Sequence, residues 1–241
     1  MKKSIEIIKG SNQKKILMDI TFPKKSNNKL IIFSHGFKGF KDWGCFNLIS
    51  KIFAENGFTF LKFNFSHNGT TIADPLNFND LEAFGNNNFS IELNDLSLVL
   101  DWSVQNLNIS DITLLGHSRG GGVSMLKSGE DKRVKRVISW SSPSSFLNRA
   151  STDRVEIWKQ KGVSFVYNGR TKQNMPLYIQ LYNDCEQNKE RLDIQNSVSN
   201  LTISQLVIHG DADPSVDVKE AYDLHRWNPR SELFIVKDAD H

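Results

Sequence analysis

The chain has 241 residues, which is long enough for one large domain with its own hydrophobic core. Lysine and arginine together number 30 and aspartate and glutamate 27, and the net charge of +3 is too small to indicate nucleic acid or an anionic membrane as a partner. Hydrophobic residues make up 39% and charged residues 24%, which excludes disordered, collagen-like and coiled-coil chains.

Two features bear on the compartment. The chain has only 2 cysteines, Cys45 and Cys185, which cannot make a disulfide framework or a zinc knuckle and which fit a reducing environment. The amino terminus lacks the apolar run and cleavage site of a signal peptide, and nowhere do about 18 apolar residues follow one another. We therefore predict a cytoplasmic protein without a membrane span.

The sequence leaves the oligomeric state open, with a homodimer as one option.

Short β-branched or aromatic runs alternate with longer amphipathic segments, a pattern typical of an α/β protein with a mostly parallel sheet and helices on both faces. An opening hairpin and about eight strands in all are predicted, over residues 4–8, 16–22, 30–34, 59–63, 112–115, 134–140, 206–209 and 233–236. Helices are predicted over residues 46–55, 91–106 and 216–225, and from Arg119 onward.

The stretch of residues 143–200 interrupts this alternation. Aromatic strand-like runs flank the turn-forming pair Asn168-Gly169, which predicts a hairpin between helical pieces. We interpret residues 143–200 as a small cap inserted into a single domain of residues 1–241.

The first chemical motif is Gly116-His117-Ser118-Arg119-Gly120, which directly follows the predicted strand over residues 112–115. A G-x-S-x-G sequence at a strand-to-helix turn holds its serine in a strained backbone conformation with the hydroxyl exposed at the carboxyl edge of the sheet. Gly116 and Gly120 lack Cβ atoms that would collide in such a turn. The motif predicts Ser118 as a nucleophile.

A nucleophilic serine needs a histidine base, and the base needs a carboxylate that holds its tautomer. Five of the 6 histidines stand at motif, core, surface or upstream positions, which leaves His241, directly after the last predicted strand. Two aspartates follow the preceding strand, and we choose Asp213 over Asp211 because it lies next to the following helix, whereas Asp211 suits a turn or capping role.

Acyl chemistry also needs donors for the developing oxyanion, and backbone N–H groups serve this purpose well. One donor is the N–H of Arg119, just after the nucleophile. The other is the N–H of Phe37, in the His35-Gly36-Phe37 turn after the strand over residues 30–34.

The nucleophile motif, the acid, the base and the oxyanion turn together resemble those of the α/β-hydrolase superfamily, over residues 30–241. Within it, residues 34–39, 64–69, 167–171 and 176–177 look like the dienelactone-hydrolase-like and cinnamoyl or feruloyl esterase-like branches. The resemblance implies an α/β-hydrolase fold and hydrolysis of a small-molecule carboxylic ester without cofactor or metal. Its motif positions fall on Ser118, Asp213, His241, Phe37 and Arg119. Dienelactone hydrolases use a cysteine where this chain has Ser118, which disfavours dienelactone as the substrate.

Other functions stay open at the level of sequence. A thioesterase, an acyltransferase or a prolyl-oligopeptidase-like peptidase would use the same triad, and a non-catalytic binding protein could keep the fold without turnover. No H-E-x-x-H, calcium-loop, P-loop or dinucleotide-binding pattern occurs. Because a catalytic imidazole at the last residue would have no following backbone to hold it, we also expect either that the natural chain continues past His241 or that the chain as written is poorly active.

Overall fold

The computed structural model describes residues 1–147 and 151–241, and the main sheet within them has eight strands. They are β1 (Lys2–Lys9), β2 (Lys15–Phe22), β3 (Lys29–Ser34), β4 (Thr59–Asn64), β5 (Asp111–His117), β6 (Val134–Trp140), β9 (Ser204–Gly210) and β10 (Glu232–Val236). Their order in the sheet is β1-β2-β4-β3-β5-β6-β9-β10. The first two strands are antiparallel to their neighbours, and from β4 to β10 neighbouring strands run parallel, which confirms the predicted sheet.

The helices connect these strands, and none in the described part of the chain combines the length and the apolar character that crossing a bilayer requires. They are α1 (Phe46–Glu55), α2 (Leu81–Gly85), α3 (Phe89–Leu107), α4 (Arg119–Glu130), α5 (Thr152–Lys161), α6 (Gln180–Gln187), α7 (Ile194–Ser199) and α8 (Lys219–Trp227).

Two helices differ from the sequence prediction at their first residues, and each difference has a local cause. Helix α3 begins at Phe89 because the side chain of Asn88 caps it by accepting the N–H of Ile91. Helix α8 begins at Lys219 rather than at residue 216, because the Asp213 carboxylate already accepts the N–H of Val216 and holds that stretch as a turn.

Hydrophobic residues of the central strands alternate between the two faces of the sheet. Leu30 and Ile32 of β3 belong to the core that also contains residues of α3, α4, α7 and α8, whereas Ile31 and Phe33 belong to a smaller core with residues of α1 on the opposite face. Helices therefore cover both faces, as the sequence predicts. The arrangement leaves the carboxyl ends of β3, β5, β9 and β10 at one edge of the sheet, where the predicted site residues follow.

The segment predicted as an insertion contains α5 to α7 and a second, two-stranded sheet of β7 (Val163–Asn168) and β8 (Gln173–Tyr178), which is the predicted hairpin. Residues 148–150 of the segment lie outside the described residues. The turn occupies residues 169–172 rather than Asn168-Gly169, because Asn168 pairs with Gln173 and its side chain accepts the N–H groups of Arg170 and Thr171.

A buried ionic cluster, formed by Asp19, Lys41, Asp42 and Lys62, fixes the loop that leaves β3. Lys41 Nζ lies 2.6 Å from Asp19 Oδ2 and 2.5 Å from Asp42 Oδ2, and Lys62 contacts the same two carboxylates. The lysine side chains are 5% and 2% exposed. Removing one anion would leave buried ammonium groups without full compensation, which costs far more than losing a surface pair.

We expect Asp42→Asn to lower the free energy of unfolding at neutral pH by about 2–4 kcal/mol. Burial opposes ionisation of Asp42, but the hydrogen bonds from Lys41 and Lys62 outweigh it, so its pKa lies below the usual 3.8. A carboxyl with a depressed pKa contributes stability above its unfolded pKa and loses that contribution as pH falls. Urea unfolding should therefore show the deficit of the variant shrinking below about pH 4.

The matched control is Asp101→Asn, which removes a carboxylate that is 49% exposed and pairs with Arg133. An exposed ion pair is worth about 0–1 kcal/mol, so this variant should unfold almost like the parent. Equal losses in the two variants would contradict the role assigned to the cluster.

Candidate active site

Ser118 lies between β5 and α4 in a strained backbone conformation. Its φ of 54° and ψ of −126° place it in a region that residues other than glycine rarely adopt. Its N–H donates to the carbonyl of Trp140 at the end of β6, with an N–O distance of 2.8 Å. The chain therefore reverses at Ser118 while the neighbouring strand holds its backbone.

The two flanking glycines are required by close backbone contacts. A Cβ atom at Gly116 would lie 2.1 Å from the carbonyl oxygen of Gly120, and one at Gly120 would lie 2.2 Å from that of Ser34. Both distances are far below van der Waals contact, so only glycine fits at either position. The first turn of α4 thus packs directly on the end of β3, which is the geometry that the G-x-S-x-G motif predicts.

His241 and Asp213 form a hydrogen-bonded pair at the same edge of the sheet. His241 Nδ1 lies 2.7 Å from Asp213 Oδ2, and the aspartate side chain is fully buried. The other oxygen, Oδ1, accepts the N–H groups of Ser215 and Val216 at 2.8 and 2.9 Å. His209 lies further off, with its Nε2 atom 3.4 Å from Oδ2 and 2.8 Å from the carbonyl of Val216, to which it donates.

These contacts determine the charge of Asp213. Burial alone would raise the pKa of Asp213, but hydrogen bonds from Val216, His241 and Ser215 outweigh it and hold that pKa below its usual range. Asp213 is therefore an anion at neutral pH, and an aspartate anion at Nδ1 requires a proton on that nitrogen. The Nε2 atom of a neutral His241 is then left as the acceptor.

Asp211, the other aspartate after β9, stabilises the contact between the loop after β9 and the segment after β10. Its carboxylate accepts the N–H of Asp238 at 2.7 Å, and its own N–H donates to Val236. Next to it, a Cβ atom at Gly210 would lie 2.2 Å from the carbonyl oxygen of Ala239. The loop after β9 and the segment after β10 are therefore in direct backbone contact, which places Asp213 beside His241.

Ser118 and His241 line one pocket of about 230 Å³. Within residues 1–147 and 151–241, the Ser118 hydroxyl makes no hydrogen bond, and the serine is only partly buried. The other lining residues are Gly36, Phe37, Lys38, Gly39, Trp43, Phe46, His117, Asn168 and Arg170. All three predicted triad residues thus meet here, two by lining the pocket and Asp213 through His241.

The two predicted oxyanion donors flank Ser118. Phe37 follows β3 in a turn whose Gly36 comes so close that an added Cβ would lie 2.9 Å from the Cβ of Ser118. Arg119 is the first residue of α4, where backbone N–H groups have no partner inside the helix. Neither the Phe37 nor the Arg119 N–H has a backbone or side-chain acceptor among the described residues.

The side chain of Arg119 turns into the protein and forms a buried ion pair that the sequence does not reveal. Its Nε atom lies 2.9 Å from Glu92 Oε2 on α3, and both side chains are at most 10% exposed. The guanidinium carbon lies 4.1 Å from the ring centre of Phe89 and 5.4 Å from that of Phe37. The side chains of both predicted oxyanion residues are therefore packed together.

The remaining histidines serve structural roles. Burial lowers the pKa of His35 to about 4, and its ring bridges the Gly36 carbonyl and the Phe65 N–H. Burial, together with the nearby His241, lowers the pKa of His117 to about 3, so a neutral ring packs 4.7 Å from that of His241. His67, which follows β4, lines a different cavity.

A second cavity, of about 460 Å³, lies next to the first and shares Phe37 with it. Arg119 and Phe89 line it from the main sheet and its helices, and Phe146, Trp158, Leu177, Leu181 and Tyr182 line it from residues 143–200, the segment predicted as an insertion. Among the described residues, no group of three or more histidine, cysteine or acidic side chains is arranged to hold a metal ion.

Comparison with known protein families assigns this chain to a family. A family model described as the alpha/beta hydrolase fold matches residues 29–198, which is more than half of the chain. The chain belongs to the alpha/beta hydrolase family. This confirms the superfamily and the fold that the sequence motifs predict.

Solved structures agree with this assignment. Est1E from Butyrivibrio proteoclasticus with ferulic acid bound is 19% identical, with a TM-score of 0.78 over 98% of this chain and 90% of that one. A putative hydrolase from Agrobacterium vitis S4 is 18% identical, with a TM-score of 0.78 over 100% and 92%. The esterase domain of a Rhodothermus marinus protein is 18% identical, with a TM-score of 0.68 over 100% and 90%. A search of curated proteins returned no significant match.

Gly210→Ala should separate the two loops that carry Asp213 and His241. The added methyl would lie 2.2 Å from the Ala239 carbonyl, so the last residues of the chain must move away from β9. We expect the low-field NMR signal of the hydrogen-bonded His241 Nδ1 proton to disappear, and stability to fall by about 1–3 kcal/mol.

Gly169→Ala is the control, because a Cβ atom there meets nothing within 4 Å. This variant should keep both the proton signal and the stability of the parent. Survival of the His241 signal in Gly210→Ala would show that the loop contact does not position the base.

Proposed function

We propose that the protein is a serine esterase that hydrolyses carboxylic esters through an acyl-enzyme intermediate. The observation that carries this proposal is the 2.7 Å hydrogen bond between His241 Nδ1 and the buried Asp213, at the pocket that Ser118 also lines. A serine at a strand-to-helix turn, an oriented imidazole and a buried anion are the components that nucleophilic acyl transfer requires.

In the first step, Ser118 Oγ attacks the ester carbonyl carbon while His241 Nε2 accepts the hydroxyl proton. Asp213 keeps the other ring nitrogen protonated and stabilises the imidazolium that forms. Ser118 and His241 are not hydrogen-bonded in the free protein, and such contacts commonly tighten only when substrate is present.

The developing oxyanion would be held by the backbone N–H groups of Phe37 and Arg119. Both flank Ser118 and lack protein acceptors in the described part of the chain. Preorganised backbone donors cost little reorganisation during the reaction, and losing one donor of this kind typically slows an enzyme by about 10²–10³-fold.

Collapse of the tetrahedral intermediate breaks the bond between the carbonyl carbon and the leaving oxygen. The imidazolium of His241 delivers the proton taken from Ser118 to that oxygen, and the alcohol departs. Water then attacks the acyl-enzyme with His241 again as the base, which releases the carboxylic acid and returns Ser118 to its starting state.

We assign the acyl group to the second cavity and regard residues 143–200 as the cap that covers it. Phe37 and Arg119, the proposed oxyanion donors, line this cavity together with Trp158, Leu177 and Tyr182 of the inserted segment. Apolar and aromatic walls with a few polar groups are typical of small-molecule pockets. This cavity favours small or medium acyl groups.

Two further points belong to the proposal. The structure of Est1E with ferulic acid makes a hydroxycinnamate ester a sensible member of any substrate screen.

The free thiols of Cys45 and Cys185 support a cytoplasmic location.

Ser118→Ala tests the nucleophile directly. We expect kcat toward p-nitrophenyl esters to fall by about 10⁴–10⁶-fold, because the members of a triad act as a unit. Labelling by a fluorophosphonate probe should disappear, since the probe bonds covalently to an activated serine. Asp213→Asn and His241→Ala should also be slow, and combining either with Ser118→Ala should add little.

Ser128→Ala is the matched control, because this serine follows Ser118 on helix α4 and its hydroxyl donates to the Ser124 carbonyl. It should label and turn over like the parent. Hydrolysis at the parental rate by Ser118→Ala would rule out the proposed nucleophile, and a parent that neither labels nor hydrolyses esters, thioesters or peptides would indicate a binding protein.

Tyr182→Ala tests the acyl cavity. Removing an aromatic wall should shift the preference toward bulkier acyl chains, changing the ratio of kcat/KM for long and short p-nitrophenyl esters by about tenfold. Tyr167→Ala is the control, because that ring is 55% exposed and does not line the cavity. Identical acyl profiles in both variants would place the acyl group elsewhere.

A further inference from the structure

The pocket at Ser118 is lined by cations and by no carboxylate. Lys38 and Arg170 contribute the fixed positive charges, and none of the other described lining residues is an aspartate or glutamate. The Asp213 side chain, which pairs with His241, is fully buried and does not line the pocket. A substrate group in this pocket therefore experiences a positive potential, which favours an anion.

Arg170 is held in place by the fold. The Asn168 side chain accepts the N–H of Arg170 in the hairpin turn. The guanidinium carbon of Arg170 lies 5.1 Å from the ring centre of Phe40, 5.0 Å from that of Trp43 and 5.5 Å from that of Phe78. Its Nη2 atom also donates to the Leu76 carbonyl at 3.3 Å. Stacking on aromatic rings together with this bond holds the planar fork and leaves the other guanidinium N–H groups to bind an anion.

Lys38 lines the same pocket. It follows Phe37 in a left-handed conformation, with φ of 55°, and its Nζ atom donates to the Tyr167 carbonyl at 3.2 Å. Within residues 1–147 and 151–241, no carboxylate lies within ion-pair distance of Lys38 or Arg170. Both charges are therefore anchored to the hairpin without being neutralised.

The position of His241 determines which half of the substrate meets these cations. The imidazole that takes the serine proton must later deliver it to the leaving oxygen, so the leaving group has to lie beside that ring. His241 lines the pocket with Lys38 and Arg170 and does not line the larger cavity assigned to the acyl group. The cations consequently face the leaving group.

We infer that the preferred substrates are esters whose leaving alcohol carries an anionic group, a carboxylate or a phosphate, bound by Arg170 and Lys38. This inference rests on the proposed esterase activity and adds the chemical class of the alcohol. Arg170 and Lys38 are then specificity-determining residues that act on substrate binding, not on proton transfer.

The test compares butyrate esters of three phenols that differ in charge. 4-Hydroxybenzoate carries a carboxylate, 4-hydroxyphenyl phosphate carries a phosphate, and 4-hydroxybenzamide is the neutral control. For the parent protein, we expect kcat/KM for at least one anionic ester to exceed that for the amide by about tenfold, and added salt to reduce this preference. The faster anionic ester identifies carboxylate or phosphate as the group recognised.

The variants separate local recognition from net charge. Arg170→Gln and Lys38→Gln should each lower the ratio of kcat/KM for the anionic esters to that for the neutral ester by about 3–10-fold. Arg170→Lys should keep part of the preference. Lys3→Gln removes one exposed cation from the edge strand β1, far from the pocket, and should change no ratio.

Equal rates for charged and neutral esters in the parent, or the same loss of preference in Lys3→Gln as in Arg170→Gln, would overturn the inference while leaving the esterase activity intact. If no ester is hydrolysed, the proposed function fails, and binding decides this inference separately. Calorimetry on Ser118→Ala should then show 4-hydroxybenzoate or 4-hydroxyphenyl phosphate binding more tightly than 4-hydroxybenzamide, with the difference lost on adding Arg170→Gln. Equal binding of all three would overturn it.

Discussion

The close packing of α4 on the end of β3 is the constraint on which the rest of the site depends. Gly116 and Gly120 allow backbone atoms to approach where any side chain would collide, and the strained Ser118 between them is held by its bond to Trp140. A conformation of this kind costs of order 1–3 kcal/mol and persists only when the surrounding fold compensates for it. The eight-stranded sheet supplies that compensation.

The parallel order of the strands determines which loops form the site. Because the carboxyl ends of parallel strands lie at one edge, the turns after β3, β5, β9 and β10 converge although they are distant in sequence. The buried cluster of Asp19, Lys41, Asp42 and Lys62 fixes the first of these loops, and the Gly210 contact joins the last two. Each proposed functional residue therefore has its own structural support.

The sequence predicts those parts of the structure that local chemistry specifies. The G-x-S-x-G turn, the strand periodicity and the position of Asp213 before a helix all carry short-range signals. Arg170 and Glu92 carry none, because their importance arises from contacts with residues far along the chain, such as Trp43 and Arg119. Likewise, the turn at residues 169–172 depends on pairing between β7 and β8 that the Asn-Gly pair alone does not specify.

The buried pair of Arg119 and Glu92 has a consequence for how this site can diverge. The backbone of Arg119 stands next to Ser118, while its side chain neutralises a carboxylate whose burial raises the pKa above its usual range. Replacing either partner alone would leave a charge stranded in the interior. Related sequences should therefore keep both residues or replace both together. The residue type at position 92 on α3 should accordingly vary with the residue type that follows the serine.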